Sequence, residues 1–118
     1  MYVYSFEKLE VWKESRELTK SIYAVSSKFS DSELFGLTQQ IRRSMLSVTS
    51  NISEGSGRSN KKEQNHFYNI AYGSLLEVLN QLIISVDLGY LDSLTYSDEL
   101  RPKIESISKM LYALKTRQ

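Results

Sequence analysis

Apolar residues recur at helical spacing along almost the whole chain, and this pattern constrains the fold more than any other feature of the sequence. The last segment shows it most clearly, with Leu100, Ile104, Ile107, Leu111 and Leu114. Because the chain has only one Pro in 118 residues, long helices can run uninterrupted. The pattern predicts four helices, over residues 7–29, 31–54, 60–88 and 97–116. The connections are short, so we expect an all-α, antiparallel up-down-up-down four-helix bundle, formed as one domain by residues 1–118.

Residues with capping propensity mark the ends of these predicted helices. Ser30–Glu33 has the pattern of a capping box before the second helix, and Gly55 is placed to cap its end. Asn60 is a suitable N-cap for the third helix. Gly89, followed by Tyr90, predicts that this helix ends in a Schellman motif.

The third segment is apolar over more than half of its circumference. One stripe consists of Ala71, Leu75, Val78 and Leu82. A second stripe, offset by one residue, consists of Tyr72, Leu76, Leu79, Ile83 and Val86. A helix in a small bundle needs one buried face, so the surplus face predicts a homo-oligomer.

Small polar residues line one side of the second helix. This side contains Arg43, Ser47, Ser50, Asn51 and Glu54. Such short side chains suit close packing against another helix. Because Glu77 lies in the apolar third helix, the sequence predicts a structural polar network of Arg43, Asn51, Glu54 and Glu77, with Arg43 paired to Glu77 or Glu54.

Positive charge is concentrated in one part of an otherwise nearly neutral chain. The whole sequence has a formal net charge of +1, which by itself does not call for a polyanionic partner. Residues 36–62, however, contain five Lys and Arg residues and a single carboxylate. Cations beside the free amides of a helix start are typical of phosphate contacts. The candidate nucleic-acid-binding residues are Arg42, Arg43, Arg58, Lys61 and Lys62.

The chain lacks the residues that enzymatic and cofactor-dependent functions need. The absence of Cys excludes disulfides, thiolate metal sites and thiol catalysis. Glu63 and His66 have the Glu-x-x-His spacing of di-iron bundles, but such a site needs two of these motifs and the chain has one His. We therefore expect a protein that is not an enzyme and holds no metal or cofactor.

The start of the chain and its hydropathy predict a cytoplasmic protein. Residues 1–7 lack the basic and apolar regions of a signal peptide. No stretch approaches the roughly 18 uncharged apolar residues that span a membrane, so we expect no membrane partner.

Several segments of the chain resemble one family of small bacterial proteins. They are FEKLEVWK (6–13), QIRRS (40–44), SNISEGSGR (50–58), IAYGSL (70–75) and DLGYL (87–91). Together they look like the family of four-helix bundles encoded by intervening sequences within bacterial 23S rRNA genes. Members commonly have Pro two residues before the Asn, where this chain has Thr49. This difference removes the basis for expecting a kink there.

The resemblance implies a ring-shaped homopentamer of antiparallel four-helix bundles. The family is also similar to the accessory proteins of diversity-generating retroelements, which bind nucleic acid and a reverse transcriptase through a basic surface. The residues that match the family's motif positions are Arg42, Arg43, Asn51, Glu54, Gly55 and Glu77. We interpret these mainly as structural residues.

Two functions from different classes follow from these observations. The first is a non-enzymatic, oligomeric protein that associates with RNA or DNA through its cations, and its binding would weaken steeply with salt. The second is a protein-interaction scaffold, whose binding would be insensitive to salt and would depend on aromatic residues such as Tyr68 or Tyr72. The resemblance and the basic segment favour the first, and whether Arg42 and Arg43 are structural or face a ligand is left open.

Overall fold

Four long helices make up the structure, a computed structural model that describes residues 1–116. They are α1 (Glu10–Ser26), α2 (Leu37–Ser56), α3 (Lys61–Asp87) and α4 (Arg101–Thr116). Short 3-10 turns at Ser5–Lys8 and Asp31–Glu33 precede α1 and α2, and π-helical Thr95–Leu100 leads directly into α4. No β-strand occurs within residues 1–116. The all-α four-helix prediction is confirmed.

Contacts between helix ends show that neighbouring helices are antiparallel. Near the start of α2, Arg42 Nε donates to Ser26 Oγ at the end of α1 over 2.8 Å. At the start of α3, Lys61 Nζ donates to the Leu114 carbonyl at the end of α4 over 2.7 Å. Residues 57–60 reverse the chain between α2 and α3. Since α1 also packs against α4, the four helices close into a bundle.

The predicted apolar stripes meet in one continuous core. Its fully buried centre contains Leu18, Ile22, Ile41, Met45, Val48, Ile52, Ala71, Leu75, Val78, Leu82, Ile107 and Leu111. Ser15 is the polar residue that interrupts the stripe of α1, and it is also fully buried. Its hydroxyl donates to the Val11 carbonyl over 2.7 Å, which satisfies the hydroxyl proton within the helix.

The beginning of α2 differs from the sequence prediction. The predicted capping box is wrong, because the Ser30 hydroxyl accepts from the Ser32 amide and not from that of Glu33. Instead, Glu33 Oε1 accepts from the Leu37 amide over 3.2 Å, and its Oε2 accepts from the Tyr90 hydroxyl over 3.2 Å. Glu33 therefore caps α2 and connects this helix start to the chain after α3. The α2 helix begins six residues later than predicted because Asp31–Glu33 forms a separate 3-10 turn.

The two predicted cap glycines have different roles. Gly89 has φ +80°, and the amides of Gly89 and Tyr90 donate to the carbonyls of Val86 and Ser85 over 3.0 and 2.9 Å. This is the Schellman pattern, so the predicted end of α3 is confirmed. Gly55, in contrast, lies inside α2 and is not its cap, since the helix continues to Ser56.

The third helix carries the surplus apolar face only in part. Of the predicted second stripe, Tyr72, Leu79 and Val86 are half-buried and pack against the core. Leu76 and Ile83 remain 45% and 39% exposed. The bundle thus covers one edge of this stripe and leaves the other edge open.

By length and composition, α3 is the one helix in the described part of the chain that could cross a membrane. The expectation that no segment approaches this criterion therefore does not hold for α3. The core helix of a soluble bundle meets the same criterion, and α3 packs against both α2 and α4.

Candidate nucleic-acid interface

Arg42 connects two helices and is not a free cation. Besides its bond to Ser26, its Nη2 donates to the Tyr23 carbonyl over 3.3 Å. The guanidinium lies 4.6 Å from the centre of the Tyr23 ring. These contacts satisfy carbonyl and hydroxyl oxygens in the last turn of α1, where the helix dipole also stabilises a positive charge. This geometry favours a structural role for Arg42 over a role in contacting a ligand.

Arg43 is exposed and lacks the buried partner that the sequence predicts. None of the ion pairs in residues 1–116 includes Arg43 or Glu77, and Glu77 is itself exposed on α3. Glu54 pairs instead with Arg58, at 3.3 Å. The predicted pairing of Arg43 with Glu77 or Glu54 is therefore wrong within this chain. The apolar character of α3 as a whole suggested burial, but Glu77 lies on its solvent side.

A polar network does join α2 to α3, but with smaller members than expected. The hydroxyls of Ser47 and Ser74 are 2.8 Å apart. Asn51 Nδ2 donates to the carbonyl and to the hydroxyl of Ser47, over 2.8 and 3.1 Å. Ser74 is 6% exposed and was absent from the sequence prediction. Its small size between apolar neighbours is the signal that could have identified it, because close helix packing favours small residues.

The contrast between Arg42 and Arg43 gives a direct test of these assignments. Arg42→Ala should lower the free energy of unfolding by about 1–2 kcal/mol, because it removes charge-assisted hydrogen bonds to the end of α1. Arg43→Ala should change it by less than about 0.5 kcal/mol, as is usual for surface substitutions. Urea denaturation of both variants beside the unmodified protein measures the difference. A loss of about 3 kcal/mol for Arg43→Ala would show instead that Arg43 belongs to a buried pair.

The loop between α2 and α3 presents Arg58 in a constrained position. The guanidinium lies 4.6 Å from the centre of the Phe67 ring and 3.3 Å from Glu54. The Arg58 carbonyl accepts from Gln64 Nε2 over 3.1 Å. Both the side chain and the backbone of Arg58 are therefore held against the first turns of α3.

The start of α3 presents two lysines with different surroundings. Asn60 is the N-cap, as predicted, because its Oδ1 accepts from the Glu63 amide over 2.9 Å. Lys61 reaches across to cap the end of α4, whereas Lys62 is exposed and takes part in none of the ion pairs of the described chain. Lys62 is thus the predicted cation of this loop that is most accessible to a ligand.

Lys115, which is not among the cations predicted from the sequence, lies at the same end of the bundle. Lys115 is in the last turn of α4, and its Nζ lies 5.2 Å from the centre of the Tyr72 ring. The contact of Lys61 with Leu114 brings this turn beside the start of α3. We call Arg58, Lys61, Lys62 and Lys115 the basic end of the bundle. The predicted antiparallel bundle puts the end of the fourth helix and the start of the third at the same end, but the contact of Lys61 with Leu114 that brings these cations together is visible only in the folded structure.

The five predicted cations do not form one patch. Arg42 and Arg58 are 16 residues apart along α2 and the turn that follows it, which corresponds to roughly 24 Å at 1.5 Å per residue. Arg42 and Arg43 therefore lie at the opposite end from the other three. Within residues 1–116, no group of three or more His, Asp or Glu residues could hold a metal ion.

Comparison with known proteins agrees with the sequence segments quoted above. No curated protein matches the chain. The family model described as 23S rRNA-intervening sequence protein matches residues 7–113, which includes all four helices apart from the last residues of α4. The chain therefore belongs to the family of 23S rRNA-intervening sequence proteins.

Proposed function

We propose that the protein is a non-enzymatic, oligomeric bundle that associates with RNA or DNA through its basic end. The observation that carries the proposal is the contact of Lys61 with the Leu114 carbonyl, which brings the end of α4 beside the start of α3, so that cations of the α2–α3 loop, of α3 and of α4 lie at one end of the bundle. Amides at the start of α3 add to the attraction for phosphate, because the helix dipole is positive there.

The acidic residues of this end leave part of its positive charge available. Glu54 is paired with Arg58, and Glu63 accepts a hydrogen bond from Asn60 Nδ2 over 3.3 Å. Lys62 and Lys115 have no carboxylate within ion-pair distance in the described chain. These two lysines are the residues that we expect to contact phosphates.

Assembly of several chains would multiply this modest charge. A single chain has a net charge of +1 and a small basic end, whereas a ring would repeat that end once per copy. The exposed apolar residues of α3 support such an assembly. They are Ile70, Leu76, Ile83, Ile84 and Leu88, which are between 39% and 55% exposed. Five copies is the number that the family resemblance implies.

A second candidate function is supported by a cleft between α1 and α2. The cleft has a volume of about 380 Å³, and it is lined by Tyr23, Leu34, Phe35 and Leu46 together with the polar residues Thr38, Gln39, Arg42 and Arg43. Phe35 is 84% exposed. An exposed aromatic anchor beside a cleft is typical of protein interfaces. A protein partner, for which the family resemblance suggests a reverse transcriptase, would bind here.

The basic end can be tested with a variant that spares the fold. Changing Lys62 and Lys115 to Gln leaves the Lys61 cap and the contacts of Arg58 intact. Each lost phosphate contact should reduce the slope of log affinity against log salt by about 0.7–0.9. We expect the double variant to show a slope shallower by about one to two units per chain engaged, measured by fluorescence anisotropy on a labelled RNA.

The matched control is Lys28→Gln, because Lys28 is exposed but follows α1 at the opposite end of the bundle. This control should keep the slope of the unmodified protein. An unchanged slope in the double variant would show that the basic end is only a solvated surface. If no nucleic acid binds at all at low salt, the scaffold function replaces this proposal.

A further inference from the structure

A groove between α1 and α2 combines aromatic rings, cations and hydroxyls. Its volume is about 430 Å³, and it is lined by Phe6, Trp12, Arg16, Thr19, Lys20, Thr49, Ser50 and Ser53. No carboxylate is among these lining residues. The groove lies along the half of the bundle where α1 begins and α2 ends, which is the half that carries the basic end.

A series of aromatic rings leads from the chain start into this groove. The ring centres of Tyr2 and Tyr4 are 4.9 Å apart, those of Tyr4 and Phe6 are 6.5 Å apart, and those of Phe6 and Trp12 are 5.0 Å apart. Tyr2 and Tyr4 are 76% and 61% exposed, so most of their surface lacks cover from the protein. The Tyr4 amide donates to Glu7 Oε2 over 2.8 Å, which holds this segment in place.

The lining of the groove also includes two cations, Arg16 and Lys20. The Arg16 guanidinium lies 5.4 Å from the centre of the Trp12 ring and takes part in none of the ion pairs of the described chain. Lys20 pairs with Glu17 at 3.0 Å, and its hydrogen bond lowers the pKa of that carboxyl below its usual value. The charge of Arg16 also lowers the pKa of the Glu17 carboxyl, but Arg16 forms no ion pair with it, so Arg16 is the cation of the groove that no carboxylate of the described chain contacts directly.

The hydroxyls of the groove are available as acceptors. Thr19 Oγ1 donates to the Ser15 carbonyl over 2.8 Å, and Thr49 Oγ1 donates to the Leu46 carbonyl over 3.0 Å. Because the hydroxyl protons are used inside the helices, the lone pairs that remain can accept from the amino groups of bases. This matches the edge of an unpaired base better than it matches a phosphate.

We infer that this groove and the adjoining rings of Tyr2 and Tyr4 bind unpaired nucleotides of single-stranded nucleic acid. Bases stack on the exposed rings, and the strand backbone lies near Arg16. The inference rests on the proposed function and specifies its ligand, because a duplex keeps its bases stacked internally and cannot offer them to these rings.

The single Trp of the chain makes stacking observable. A 12-nucleotide RNA of mixed sequence, without self-complementarity, is titrated into the full-length protein while Trp12 emission is recorded. We expect quenching by the single strand and at least tenfold weaker binding of the same strand paired with its complement. Trp12→Phe should bind similarly without an emission signal, since a ring remains available for stacking.

Tyr4→Ala removes one exposed ring and should weaken binding of the single strand by roughly 5- to 150-fold, the range for one stacked base. Phe35→Ala is the matched control, because Phe35 is 84% exposed, lies outside the groove and precedes α2 at the opposite end of the bundle from the basic end. Circular dichroism and light scattering of each variant monitor its fold and mass.

Four results would overturn the inference and leave the proposed function in place. The first three are unchanged Trp12 emission while RNA binds, equal affinity for the duplex, and equal losses in Tyr4→Ala and Phe35→Ala. The fourth is a fall in mass for Tyr4→Ala, since a second copy of the chain would then cover these rings. Absence of any binding to RNA and to DNA, in both single-stranded and duplex form, would refute both proposals together.

Discussion

Ile83→Lys should release monomers of 13.6 kDa from the assembly that we propose. Ile83 is 39% exposed, and it lies two helical turns after the similarly exposed Leu76 on α3. A lysine placed in an apolar contact between copies would lose its hydration without gaining a partner, which costs several kcal/mol. In a closed ring the same cost recurs at every contact. The mass is measured by light scattering after size exclusion at micromolar concentration.

Leu94→Lys provides the control for added charge. Leu94 is 66% exposed and lies near the start of the helical segment that leads into α4, away from the exposed stripe of α3. This variant should keep a mass several-fold above that of one chain, with five copies as the number implied by the family. A monomeric unmodified protein would contradict the assembly itself. An unchanged mass for Ile83→Lys would show that the contact lies on another face.

Gly55→Ala should lower the free energy of unfolding by about 1–3 kcal/mol, the usual cost of overpacking. A Cβ at this position would lie 2.8 Å from Tyr68 Cε1 and 3.0 Å from Phe67 Cβ. Tyr68 is 3% exposed, so its ring has little room to move away. The clash outweighs the better helix propensity of Ala, which is worth about 1 kcal/mol at most. Urea denaturation monitored by circular dichroism gives the change.

The matched substitution is Gly73→Ala in α3. A Cβ there meets nothing within 4 Å, so Ala should raise the free energy of unfolding by about 0.5–1 kcal/mol through helix propensity alone. The two variants should therefore change stability in opposite directions. Equal stabilisation by both would show that Tyr68 can shift freely and that α2 and α3 are not in tight contact at Gly55. Destabilisation of the assembly by Gly73→Ala alone would place Gly73 at a contact between copies.

Features that depend on near neighbours in the chain could be predicted from the sequence. Helical periodicity predicted the four helices because backbone hydrogen bonds in a helix join residues four apart. The cap at Asn60 and the Schellman motif at Gly89 are also local, since their donors and acceptors lie within five residues of each other. The apolar stripes were enough to predict the core because each helix turns its apolar side away from water.

The roles of the polar residues were decided by the tertiary structure. Arg42 caps a helix that ends 16 residues earlier, and Lys61 donates to the Leu114 carbonyl, 53 residues later, in the last turn of α4. Arg43 is adjacent to Arg42 in the sequence, yet it faces solvent because successive residues of a helix point about 100° apart. Gly55 matches a cap by its position and proved to be a point of close approach to α3. A cation or a glycine at a helix end is compatible with several partners, and which partner it meets depends on which helix ends the packed core brings together.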